Sequence, residues 1–173
     1  MGLLCRGMIG IPSETFEDGS ESNFASLFQD CIGLVDASEL ILANNTKNGC
    51  YKGMFRGCTN LVSAPVLPAT TLTTYCYNDM FYGCTSLTTA PVLPATTLVK
   101  YCYNSMFYNC TSLNYIKAMF TTTPSTNVGY TETQNWVYGV SATGTFVKNR
   151  AALWDLTGVN GVPSGWTVQT ASA

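Results

Sequence analysis

The cysteines offer this chain its widest choice of chemistry, because a thiol can form a disulfide, bind a metal or act as a nucleophile. The sequence contains no histidine, so a cysteine–histidine nucleophile pair is excluded and zinc would lack its usual imidazole ligands. Side chains stacked in a column run parallel and do not converge as a disulfide requires. We therefore predict buried thiols, with no metal and no cofactor, for the two series that recur every 26 residues, Cys50, Cys76, Cys102 and Cys58, Cys84, Cys110.

Tyrosines recur at the same interval and suggest a binding surface. A row of exposed aromatic rings can stack on sugar rings or anchor a protein partner, whereas packing in the core is their alternative role. Positions that differ between the repeats mark exposed sites, as where Thr88 and Thr89 replace Val62 and Ser63. The residues predicted to bind a partner are Tyr51, Tyr77, Tyr103, Tyr82, Tyr108, Arg56, Lys100, Thr88 and Thr89.

Charged residues are few, at 10% of the chain with a net charge of −2, and they form no basic surface for a nucleic acid. Cleavage of a glycosidic bond needs two carboxyl groups in one cleft, but Asp79 is the one acid in the regular repeats. No apolar run reaches the roughly 20 residues that span a bilayer. The first ten residues are too short and interrupted for a secretory signal. We predict a protein that is not an enzyme and does not insert into membranes, with its targeting signal outside this chain.

The elements that position these residues are predicted by the repeat itself. Residues 58–83 and 84–109 are identical at 19 of 26 positions, and such a period indicates stacked coils. Pro91 and Pro94 limit each coil to a short strand, since proline removes a hydrogen-bond donor. Apolar residues three to five apart between Leu98 and Cys110 then indicate a helical or 3₁₀ segment on the opposite side. This pattern predicts an α/β solenoid of the leucine-rich repeat horseshoe type.

Three regions follow from where the period holds. Residues 1–22 are predicted to be an eroded coil or cap, and residues 23–120 a solenoid of about four coils. Residues 121–173 carry all three tryptophans and are predicted to be a small β-rich C-terminal cap, with a separate binding module as the rival interpretation. Its strand-like pieces are Trp136–Val140, Gly144–Lys148 and Trp166–Gln169.

The sequence M-F-x-x-C-T-x-L, at residues 54–61, 80–87 and 106–113, is twice followed by A-P-V-L-P-A-T-T-L. This combination resembles the BspA-type leucine-rich repeats of surface proteins from Bacteroides-like bacteria and some mucosal parasites. The resemblance implies a cell-surface or secreted protein that adheres to host proteins, glycans or neighbouring cells, and it supplies no active site. The third repeat departs from the pattern, because Lys117 and Phe120 replace its two prolines.

Two other functions remain open at this point. A spacer or assembly segment of a larger surface protein or phage-like particle would be favoured by a Tyr and Thr face that contacts only copies of itself. A carbohydrate-active enzyme on a solenoid would be favoured by a groove holding two carboxylates within about 10 Å of each other.

Overall fold

A computed structural model describes residues 24–125 and 131–172 of the chain. Within these ranges it contains three β-strands, β1 (Tyr115–Ala118), β2 (Thr145–Lys148) and β3 (Thr167–Thr170), and no helix. The strands form a parallel sheet in the order β1-β2-β3, in which Ile116 pairs with Phe146 and Phe146 with Val168. The segment predicted as an eroded coil or cap, residues 1–22, lies outside the described residues.

The earlier repeats continue this pairing as isolated parallel bridges. Asp36 pairs with Ser63, and Leu93 pairs with Ala118. The repeats that contain two prolines cannot form a longer ladder, because each proline lacks the backbone N–H that a strand donates. A full strand, β1, appears where Lys117 has replaced the first proline. Regular strand structure therefore begins where two neighbouring repeats, those of β1 and β2, both lack the prolines.

The segments predicted to be helical are chains of turns, so that prediction was wrong. Every second N–H donates within its own segment, as Met54 does to the carbonyl of Tyr51 (3.2 Å). The N–H groups between them donate to the next repeat, as Phe55 does to the carbonyl of Met80 (2.9 Å). A residue with positive φ recurs every fourth position, at 63° for Gly49 and 61° for Gly53, and interrupts the helical conformation. The apolar residues do recur at the predicted spacing, but they lie in turns and not in helices.

The core lies between these turn segments and the bridged side of each repeat. One aromatic column stacks Phe28, Phe55, Phe81 and Phe107, with ring centroids 5.4, 5.5 and 5.8 Å apart. A second column contains the buried methionines Met54, Met80 and Met106. Each repeat buries one residue of each column against its neighbours, so no repeat needs a complete core of its own.

The stacking continues beyond residue 120, where the sequence period is lost. The N–H of Phe107 donates to the carbonyl of Trp136 (2.8 Å), and the Trp136 indole donates to the carbonyl of Gly161 (2.9 Å). The predicted piece Gly144–Lys148 contains β2, and Trp166–Gln169 covers the first three residues of β3, whereas residues 136–139 belong to a turn segment. The region predicted as a cap thus adds to the same sheet and the same rows of turns.

Candidate binding surface

Three of the predicted binding residues, Tyr51, Tyr77 and Tyr103, lie in the core, with 2%, 1% and 0% of their surface exposed. They stack on one another, and Tyr103 also contacts Trp136 with ring centroids 6.3 Å apart. No partner can reach these rings in the folded protein. The structure therefore removes them from the predicted binding surface. Tyr75, two residues before Tyr77, faces outward instead, with 38% of its surface exposed.

The predicted residues Arg56, Tyr82 and Tyr108 form one continuous row on the surface. The rings of Tyr82 and Tyr108 are 4.7 Å apart and nearly parallel, at 3°. The Arg56 guanidinium lies 4.1 Å from the centre of the Tyr82 ring, within the range of a cation–π interaction. Tyr138 extends the row at the same spacing of 4.7 Å and is 46% exposed. We call these four residues the tyrosine row.

Sequence reasoning missed Tyr138 because the interval changes from 26 to 30 residues between Tyr108 and Tyr138. A signal was present nevertheless. The sequence W-V-Y-G at residues 136–139 places tyrosine and glycine as in M-F-Y-G at residues 80–83. An alignment that allowed insertions in the repeat would have found it.

A second pair of surface rings, Tyr75 and Tyr101, lies in the same turn segments. Their centroids are 4.6 Å apart at an angle of 17°. The ammonium group of Lys52 lies 5.6 Å from the Tyr75 ring, and that of Lys100 lies 5.2 Å from the Tyr101 ring. Lys100 was predicted as a binding residue, whereas its aromatic neighbours were not. We call Tyr75 and Tyr101, together with these two lysines, the tyrosine pair.

Asp79 lies in the same turn segment as Tyr75 and Tyr82 and connects to both groups. Its carboxylate is 3.3 Å from the Arg56 guanidinium. Desolvation raises the pKa of this carboxyl group, and the positive charges of Arg56 and Lys52 oppose the shift. The carboxylate therefore holds Arg56 beside Tyr82 and is already engaged by a cation.

The tyrosine row presents ring edges and hydroxyl groups, since neighbouring rings cover each other's faces. A sugar ring cannot enter between rings that are 4.7 Å apart. The predicted stacking of sugars on each tyrosine is therefore not available inside the row. A phenol oxygen at every layer can instead accept or donate hydrogen bonds at the pitch of the repeat.

Thr88 and Thr89, the other predicted residues, belong to the bridged side of the repeat. Both are exposed, Thr89 pairs with Tyr115, and the Thr88 carbonyl accepts the N–H of Asn114 at 2.9 Å. The predicted binding residues thus divide between the turn segments and the bridged segments.

The cysteines of both series are buried and are not joined to one another by disulfides. The thiols of Cys58, Cys84 and Cys110 donate to the carbonyl oxygens of Phe28, Phe55 and Phe81, at 3.0, 3.2 and 3.0 Å. Burial raises the pKa of Cys76 and of Cys110 to about 12. Thiols of this kind fill space and stay protonated at neutral pH. Among the residues that the structure describes, no three His, Cys, Asp or Glu side chains cluster as metal ligands.

No described helix is long and apolar enough to cross a bilayer. No protein-family model matches the sequence, and comparison with curated proteins and with solved structures found no significant match.

Proposed function

We propose that this chain is a binding module of a cell-surface or secreted protein, and that its tyrosine row and tyrosine pair contact a protein or glycan partner. The backbone of Tyr75 and Tyr101 carries the proposal. Both residues have a left-handed conformation, with φ of 60° and 57°. A side chain there costs about 1–2 kcal/mol relative to glycine. The equivalent residue of the preceding repeat is Gly49, with φ 63°, so the fold does not require tyrosine at this position.

Strained residues that the fold does not need tend to occur at functional sites. Tyr75 stacks on Tyr101 and lies beside the Lys52 ammonium group, yet 38% of its surface remains exposed and can be reached by a partner. Interfaces are enriched in tyrosine because the ring offers a large contact area and a polar hydroxyl group at low entropic cost. Recognition of a partner is the role that we assign to a strained tyrosine that recurs in successive repeats and whose ring is not fully buried.

The fold that we propose for this surface is a solenoid similar to the BspA-type leucine-rich repeats. Support comes from the motif M-F-x-x-C-T-x-L, the parallel bridges and the stacked phenylalanine column. Short turns replace the helical segments of the original prediction. In such a fold a weak contact made by one repeat recurs in the next, so affinity accumulates without a conformational change.

The test measures binding of the purified chain to host-matrix proteins and mucosal glycans. The informative variant carries Tyr75→Gly and Tyr101→Gly, because glycine removes the rings and relieves the backbone strain, so the variant remains folded. A second variant carries Tyr82→Ala and Tyr108→Ala. The matched control carries Thr70→Ala and Thr96→Ala, two exposed positions outside the turn segments.

We expect saturable binding by the intact chain, and affinity at least about tenfold weaker in either tyrosine variant, as for residues at the centre of an interface. The threonine control should bind like the intact chain. Equal binding by all variants would remove the tyrosines from the site, and failure of the intact chain to bind any probe would contradict the proposal.

A spacer or assembly segment is the second candidate function. The observation that favours it is the mutual stacking of the rings in the tyrosine row, which stabilises contacts between successive repeats. Under this alternative the tyrosine variants would lose thermal stability and the intact chain would bind no ligand. A carbohydrate-active enzyme is less well supported, because Asp79 is paired with Arg56 and hydrolysis requires a second carboxyl group beside the first.

A further inference from the structure

The outer edge of β3 has no strand beside it among the described residues. β3 is last in the order β1-β2-β3 and pairs with β2 alone. All four of its residues are exposed. The N–H of Thr167 donates to Gly144 (2.9 Å) and that of Ala171 donates to Lys148 (2.8 Å). Backbone groups alternate sides along a strand, so the N–H and C=O of Val168 and Thr170 point to the open edge.

This edge lacks the charged side chains and prolines that usually prevent association. Protective edge strands carry lysine, proline or a bulge. β3 reads T-V-Q-T, and residues 156–173 contain no Asp, Glu, Lys or Arg. Val168 is apolar and 48% exposed. Two copies of an uncharged strand can approach each other without electrostatic repulsion, whereas a charged strand would repel its own copy.

We propose that two copies of this chain pair through β3 in antiparallel orientation about a two-fold axis at Gln169. In this register Val168 of each copy lies opposite Thr170 of the other. These are the two residues whose backbone groups face the open edge, so about four new backbone hydrogen bonds form. The two sheets join into one, and the two-fold symmetry closes the assembly as a dimer. This inference does not depend on the proposed ligand-binding function.

The backbone of Thr170 provides the first test, by sedimentation equilibrium of the full chain. Thr170→Pro removes an N–H that points away from β2 and is expected to give a monomer. Thr170→Ala keeps that N–H and should remain a dimer. A monomeric intact chain, or a dimer that persists in a folded Thr170→Pro variant, would overturn the proposal. Growth beyond the dimer would also overturn it, since it indicates head-to-tail pairing.

An engineered disulfide gives a second test that does not depend on how proline is tolerated. Gln169 of the two copies would form a non-hydrogen-bonded pair with Cα atoms about 4.5 Å apart, which suits a disulfide. Gln169→Cys should therefore form a covalent dimer under mild oxidation. Thr167→Cys is the control, because its two copies would lie about 13 Å apart along the strands. Equal cross-linking of both variants, or of neither, would exclude this register.

Discussion

The hydroxyl groups of the buried tyrosines differ in their hydrogen bonding, although their rings share one column. The Tyr51 hydroxyl oxygen accepts the N–H of Ala43 at 2.9 Å. Among the residues that the structure describes, the hydroxyl groups of Tyr77 and Tyr103 are buried without a hydrogen-bond partner. An unpaired buried hydroxyl costs about 1–3 kcal/mol of desolvation, whereas a paired one contributes about 1 kcal/mol.

Substitution of each tyrosine by phenylalanine tests this difference. We expect Tyr51→Phe to lower the free energy of unfolding by about 1 kcal/mol, and Tyr77→Phe and Tyr103→Phe to leave it unchanged or raise it by about 1 kcal/mol. Urea unfolding of the three variants measures the effect, and Tyr51→Phe is the matched control. A loss at Tyr77 or Tyr103 as large as that at Tyr51 would show that their hydroxyl groups are hydrogen-bonded.

For single residues, the sequence predicted which residue types lie on the surface better than it predicted which positions they occupy. The consecutive side chains of Tyr75, Cys76 and Tyr77 cannot all be buried, but the spacing does not tell which tyrosine meets solvent. The side chain that faces outward is fixed by the left-handed backbone of Tyr75, which the spacing alone does not reveal. Gly49 at the equivalent position of the preceding repeat was the available signal.

At the scale of elements, the contact between β1 and β2 depends on a glycine. A Cβ atom on Gly144 would overlap the carbonyl oxygen of Asn114 and lie 2.7 Å from Cε2 of Trp166. The Asn114 carbonyl accepts the N–H of Thr145 at 2.8 Å, so it cannot move without loosening the sheet. A side chain at position 144 would push apart the chain segments that lead into β2 and β3.

We expect Gly144→Ala to lower the free energy of unfolding by about 1–3 kcal/mol through overpacking. The control is Gly33→Ala, because a Cβ at Gly33 has no atom within 4 Å and its backbone does not have a positive φ. That variant should be neutral or more stable by up to about 1 kcal/mol. Thermal unfolding followed by tryptophan fluorescence compares them, and equal stability of the two variants would contradict the close approach at Gly144.

Secondary structure could be predicted where one residue determines it through its own backbone. It was missed where it depends on hydrogen bonds between repeats. The repeat that contains Pro91 and Pro94 forms isolated bridges where a short strand was predicted, because each proline lacks the N–H that a strand donates. The helical segments were wrong because side-chain periodicity cannot distinguish a helix from a chain of turns. The sequence signal for left-handed residues was the recurrence of glycine in the turn segments, at Gly49, Gly53, Gly57 and Gly83.

At the scale of the whole molecule, the repeat period predicted neighbouring contacts over more than half of the described chain. Equivalent residues 26 apart do stack, as Phe55 and Phe81 show. Beyond residue 120 the interval lengthens and tryptophan replaces methionine at position 136, so the sequence suggested a separate cap. The indole N–H groups of Trp136, Trp154 and Trp166 each donate to a backbone carbonyl, at 2.9, 3.2 and 2.8 Å. Those hydrogen bonds depend on tertiary structure, so no repeating pattern in the sequence predicts them.

Burial of so many thiols and phenols couples the stability of the entire stack to alkaline pH. Burial raises the pKa of Cys76, Cys84, Cys102 and Cys110 from 9.0, and that of Tyr51 from 10.0 to about 12. In the unfolded chain these groups lose their protons near their ordinary pKa values, whereas the folded chain retains the protons. The unfolded state therefore binds fewer protons above about pH 9, and stability must fall as the pH rises.

We expect a constant free energy of unfolding up to about pH 8, and then a decrease that approaches 1.4 kcal/mol per pH unit for each thiol that ionises only on unfolding. Urea unfolding at intervals between about pH 7 and pH 11 measures the slope, and alkylation followed by mass spectrometry identifies the protected thiols. Cys31 is partly exposed and serves as the internal comparison. Because four thiols share the effect, loss of structure should be cooperative across the repeats, and a stability that stays level to about pH 11 would show that the thiols ionise in the folded protein.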